Sequence, residues 1–119
     1  MNIKNIGGIG ETAACNYLKK HKYKILARNY RKTFGEIDIV ARKGETVFFI
    51  EVKTRSSMEY GRPCEAVTLQ KRRKIIQTAY AYIEEKKLDA NYSFDIVEVF
   101  HENGKIISVN HIENAFGLE

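Results

Sequence analysis

Two short segments constrain this chain more than any other feature: "GEIDIVA" at 35–41 and "TVFFIEVKT" at 46–54, joined by Arg42-Lys43-Gly44-Glu45. Successive side chains of a strand point to opposite faces. Ile37, Ile39 and Ala41 therefore oppose Glu36, Asp38 and Val40, and Phe48, Ile50 and Val52 oppose Phe49, Glu51 and Lys53. One face is apolar throughout. The other is apolar near the turn and charged at the far end. A glycine in the first of two loop positions suits a type II′ turn, which pairs Lys43 with Thr46. That register sets Asp38 opposite Glu51 and Glu36 opposite Lys53. A slip of one residue would break the apolar face and is disfavoured.

Two carboxylates directly opposed on adjacent strands repel. A shared proton, a bridge from Lys53 or a divalent cation would each relieve them. Hard cations such as Mg²⁺ or Mn²⁺ take oxygen ligands and retain waters. Asp38, Glu51 and the Val52 carbonyl would form such a site, with Lys53 acting on what the metal holds. The plainer alternative is a solvated strand end with a Glu36–Lys53 ion pair, which would contribute little. The apolar Val40 and Phe49 on the same face weigh against it.

Around this hairpin the pattern predicts a helix over about 8–21, a strand over 23–31, a polar loop over 55–63 and a long helix over about 64–87. Strands "SFDIVEVF" and "KIISVNHI" follow, joined by the hairpin signal His101-Glu102-Asn103-Gly104. The order is helix, three strands, helix, two strands: one α/β domain over residues 1–119 with a mixed sheet. The chain of 119 residues, 44% hydrophobic and 29% charged, is long enough to bury a core. Its formal charge of +5 leans towards an anionic partner. Cys15 and Cys64 have no metal-type spacing and are expected as reduced thiols in a cytoplasmic protein. No apolar run is long enough to span a membrane.

An acid on one strand followed by E-x-K on the next resembles the PD-(D/E)xK nuclease superfamily, with Asp38, Glu51 and Lys53 at its signature positions and Ile37 in place of its proline. "GIGE" near the start, Arg28-Asn29, "GEIDIVA", "FIEVKTR" and a lysine-rich second helix resemble the YraN family of small bacterial proteins, over nearly all of the chain. That family is similar to archaeal Holliday junction resolvases, whose first helix supplies a glutamate. The resemblance implies a restriction-endonuclease-like fold, an αβββαβ core plus a terminal strand. It also implies Glu11 as a further metal ligand; a glutamate stabilising its own helix is the other reading of Glu11.

The expected function is a metal-dependent endonuclease acting on DNA, branched or damaged, with Mg²⁺ or Mn²⁺ as cofactor. Two alternatives stand beside it: a nucleic-acid-binding module with little turnover, and a non-catalytic assembly protein. Glu36 is expected to steer Lys53, and Asp95 to be structural, with an acid supporting the site as its other reading. Arg55, Arg62, Lys71 and Arg72 are candidate phosphate contacts, although the run Lys71–Lys74 also reads as a solvated helix face. Such contacts carry no base information. Nucleic acid, DNA ahead of RNA, is the expected partner, with no membrane and with a second copy of the chain as a further candidate.

Overall fold

The computed structural model describes residues 6–56 and 67–117. Its elements are α1 (Ile6–Lys20), β1 (Lys24–Lys32), β2 (Gly35–Lys43), β3 (Thr46–Ser56), α2 (Leu69–Lys86), β4 (Asn91–Glu102) and β5 (Lys105–Phe116). The five strands form one sheet in sequence order, antiparallel except for the parallel pair β3–β4. Parallel neighbours need a crossover, and α2 lies on the connection that supplies it.

Alternation along the strands builds two cores. Val40, Phe49 and Ile96 pack against Ile75, Ala79 and Tyr82 of α2. Ile39, Ala41, Ile50 and Val97 pack against Ala14, Cys15 and Leu18 of α1. The helices thus cover opposite faces of the sheet. The first hairpin has the expected register, Lys43 opposite Thr46, with Gly44 at φ 61°. In the second, Asn103 and Gly104 take φ 51° and 83°, the type I′ signature.

Several boundaries differ from the sequence pattern, four of them instructively. Helix α1 begins at Ile6, so Glu11 lies beyond its first turn. Strand β3 runs on through Arg55 to Ser56. Strand β5 continues past Ile112 to Phe116. Helix α2 begins at Leu69, because Thr68 caps it: the Thr68 hydroxyl accepts the Lys71 amide at 3.2 Å. Val67, expected on the helix, is buried just ahead of the cap. Most of the predicted 55–63 loop, with Arg62 and Cys64, lies outside the described residues. Cys15 is a free, buried thiol.

One close approach fixes α1 on the sheet. A Cβ at Gly10 would sit 1.9 Å from the Thr54 hydroxyl oxygen and 2.9 Å from its Cβ. Only glycine lets the helix come down here, one residue before Glu11. At the far end of the sheet Asp95 is fully buried. Its carboxylate accepts from the Asn114 amide (2.9 Å) and the Ser93 hydroxyl, and lies 2.7 Å from His111 Nε2. That network pins the irregular β4–β5 pairing between Phe94 and Ile96, in keeping with a structural Asp95.

Candidate functional site

Asp38 belongs to neither ladder of its strand. The β2–β3 pairing ends at Ile39–Ile50, and the β1–β2 pairing skips the Asn29–Asp38 step, where Asn29 has a left-handed φ of 52°. The strand alternation resets there: Ile37, expected beside Ile39, packs with Val40 on the α2 side instead. Freed from the ladders, the Asp38 carboxylate takes the place of a strand carbonyl. Its Oδ2 accepts the Val52 amide at 2.8 Å. Val52, expected at the site through its carbonyl, also serves it through its N–H.

Asp38 and Glu51 converge and share a hydrogen bond. Burial, then the Glu51 charge and that bond, push the Asp38 carboxyl up to about 7, against the Val52 amide, which favours the charged form. Like charges are thus relieved in part by a proton. They are also relieved by a lysine, but not the one the sequence pointed to: Lys71 Nζ of α2 lies 3.2 Å from Glu51 Oε1, and the Glu51 side chain is only 11% exposed.

Glu11 approaches from α1. Burial, followed by the Asp38 charge, raises its carboxyl, while Arg28 and a hydrogen bond from Asn29 oppose the shift. Its Oε1 is buried with no hydrogen-bond partner among the described residues. This assigns work to Arg28 and Asn29, which stood in the sequence as a motif without a role. Lying beyond the first turn of α1, Glu11 does not serve the helix dipole.

The donors fit a hard divalent cation in kind: two converging carboxyls carrying surplus negative charge and a third with an orphaned oxygen. Among the described residues, however, no three His, Cys, Asp or Glu side chains are gathered closely enough to hold an ion by themselves. Water or substrate oxygens would have to complete any coordination at Asp38 and Glu51.

Lys53 is half-buried and makes no ion pair or hydrogen bond among the described residues. Its expected partner, Glu36, is exposed and turns to β1, where Arg31 Nε lies 3.0 Å away. The ion pair that Glu36 makes is thus with Arg31, not with Lys53 as the register suggested. Arg55 is not displayed for a phosphate either. It is buried on β3 with its guanidinium 3.3 Å from Glu98 of β4, an ion pair without hydrogen-bond alignment, both side chains under 10% exposed. Arg72 donates to the Val67 carbonyl at 2.9 Å and lies over the Phe116 ring, so it braces the start of α2. Glu98 went unmarked in the sequence, although a charge inside the apolar run "IVEVF" is the same signal that drew attention to Glu51.

The model of the uncharacterised protein family UPF0102 matches residues 10–99. This chain belongs to that family. UPF0102 proteins of Geobacter metallireducens and Clostridioides difficile are 47% and 45% identical to it, over 99% and 98% of this chain and 97% and 100% of their own lengths. The UPF0102 protein of Caldicellulosiruptor saccharolyticus is 42% identical over 98% of this chain and 100% of its own length. The family match spans α1 to β4, and so takes in every side chain placed around Asp38. Membership of UPF0102 agrees with the small-protein family read from the motifs and attaches no reaction to it. No helix among the described residues is long and apolar enough to cross a membrane.

Proposed function

We propose that this UPF0102 protein is a metal-dependent phosphodiesterase of nucleic acid, DNA ahead of RNA, with a restriction-endonuclease-like arrangement of its sheet. The observation that carries the reading is the departure of Asp38 from both ladders to meet Glu51 and the Val52 amide, with Lys53, two residues after Glu51, making no ion pair among the described residues. A merely solvated strand end has no reason to break its ladder and bury two carboxyls together. Asp38 and Glu51 would hold Mg²⁺ or Mn²⁺, with Glu11 the third candidate. Bound there, the ion would supply acidification of a water and a partner for a phosphate oxygen.

The chain's own groups divide the remaining work. The Val52 amide fixes the rotamer of Asp38. Lys53 orients the attacking water or meets charge developing on the phosphate. Lys71, half-exposed and 3.2 Å from Glu51, offers a cation for a phosphate. A second reading, a binding module with little turnover, draws on that same pair, because an ammonium on Glu51 can leave the carboxylates satisfied without a metal.

Linear, nicked, flapped and four-way DNA incubated with Mg²⁺ or Mn²⁺ separates the readings. The expected result is cleavage of at least one substrate, abolished in Asp38→Ala, Glu51→Ala and Lys53→Ala. Calorimetric Mn²⁺ titration should show metal binding lost in the first two variants and kept in Lys53→Ala. DNA retention without cleavage by wild type under either ion would leave the binding module.

A further inference from the structure

The first turn of α2 contains no acidic residue, and its third position carries Lys71. A cation there opposes the positive end of the helix dipole. The position is nevertheless held firmly, since the Lys71 amide is tied to the Thr68 cap. The compensation comes from across the fold, where the ammonium meets Glu51 Oε1 at 3.2 Å. The two partners differ in exposure: the Glu51 side chain is 11% exposed and that of Lys71 49%. The lysine can swing into solvent, whereas the carboxylate stays where β3 puts it. A mobile positive charge thus rests on a fixed ligand, at the place where a divalent ion would neutralise the same oxygens.

We propose that Lys71 is the resident counter-ion of the site: its ammonium holds Glu51 in the metal-free protein and gives the carboxylate up to a divalent cation, after which it turns to a phosphate. The inference rests on the metal reading of Asp38 and Glu51 given above. It makes Lys71 a positioning residue with two partners in succession. Metal affinity is held down by the lysine, and nucleic acid, by drawing the ammonium to its phosphates, raises that affinity. Metal and nucleic acid are then coupled reciprocally through one side chain.

The test is a calorimetric titration of MnCl₂ into the full chain without nucleic acid, for wild type, Lys71→Met, Lys71→Arg and Lys74→Met. Lys71→Met should bind Mn²⁺ roughly 2- to 5-fold more tightly, the range of a half-exposed ion pair. Lys71→Arg should stay close to wild type, and Lys74→Met, one turn further along, should not change. In Ca²⁺, a short DNA duplex should bind Lys71→Met more weakly, with a salt slope shallower by about 0.9. Should Lys71→Met melt well below wild type, Lys71→Gln carries the same comparison. Mn²⁺ affinity equal to or below wild type in the charge-removed variant overturns the role of Lys71 and leaves the phosphodiesterase reading standing. Absence of Mn²⁺ binding in every protein overturns both.

Discussion

Replacing Gly10 by alanine tests how tightly α1 is seated. Inside a helix this change ordinarily gains close to 1 kcal/mol. Here the new Cβ would meet the Thr54 oxygen at 1.9 Å, and rotating the hydroxyl away is not enough, because the Thr54 Cβ and Cγ2 stand at 2.9 and 3.0 Å. Either the strand or the helix must move. Overpacking of this kind costs about 1–3 kcal/mol. For a chain of this length, unfolding entropy converts each kcal/mol to about 4 °C, so Gly10→Ala should melt roughly 4–12 °C below wild type. Gly8→Ala is the matched control. Its Cβ would find nothing within 4 Å, and it should match or exceed wild type by up to about 1 kcal/mol. Adding Thr54→Ala to Gly10→Ala removes the oxygen and Cγ2 but leaves the 2.9 Å contact, so it should restore only part of the loss. Melting by circular dichroism reads all three. A Gly10→Ala protein as stable as Gly8→Ala would refute the seating argument and, with it, the account of how Glu11 reaches Asp38.

The raised Asp38 carboxyl makes stability pH-dependent: its ordinary value is about 3.9 and its folded value about 7, so between them only the folded state keeps the proton. Metal-free protein should therefore lose about 1–3 kcal/mol between pH 5 and 8 in urea titrations, and Asp38→Asn should flatten that slope; an unchanged slope in the variant would contradict the assignment. Glu98→Ala removes the carboxylate facing buried Arg55 and should cost roughly 3–5 kcal/mol by the same assay, whereas a surface pair would cost less than about 1. Lys87 closes α2 at φ 51°, so Lys87→Gly should gain about 1 kcal/mol, and a loss there would mean that the cap is held by its side chain.

The hairpin was legible because its two alternating patterns and its turn agree on one register. Asp38 and Glu51 follow from that register, and the structure brings them together. The same arithmetic misplaced Glu36 and Ile37, since it presumed an unbroken ladder through Asp38. Asn29 at a left-handed φ breaks it, and no periodicity shows where a strand will abandon its neighbours. Lys71 and Glu51 are 20 positions apart on different elements, and only the way α2 lies on the sheet joins them. Arg55 looked like a surface cation because it followed a charged motif. It proved to be interior because β3 continues two residues further than the alternation suggested, which sets Arg55 opposite Phe100 and diagonal to Glu98, whose register partner is Lys53. The late start of α2 was visible in principle: Thr68 is a good capping residue ahead of a helical run.

Strand β1 lies at one margin of the sheet and β5 at the other. An open strand margin invites a second chain to add on, and proteins that remain dispersed blunt such margins. Strand β1 carries three such devices: a bulge between Ile25 and Ala27, the left-handed Asn29, and a row of cations at Lys24, Arg28, Arg31 and Lys32. The kink that frees Asp38 on the inner side therefore also spoils the outer side as a template for fibre-like growth. Extending the sheet at β1 is therefore a disfavoured way for a second copy of this chain to add on.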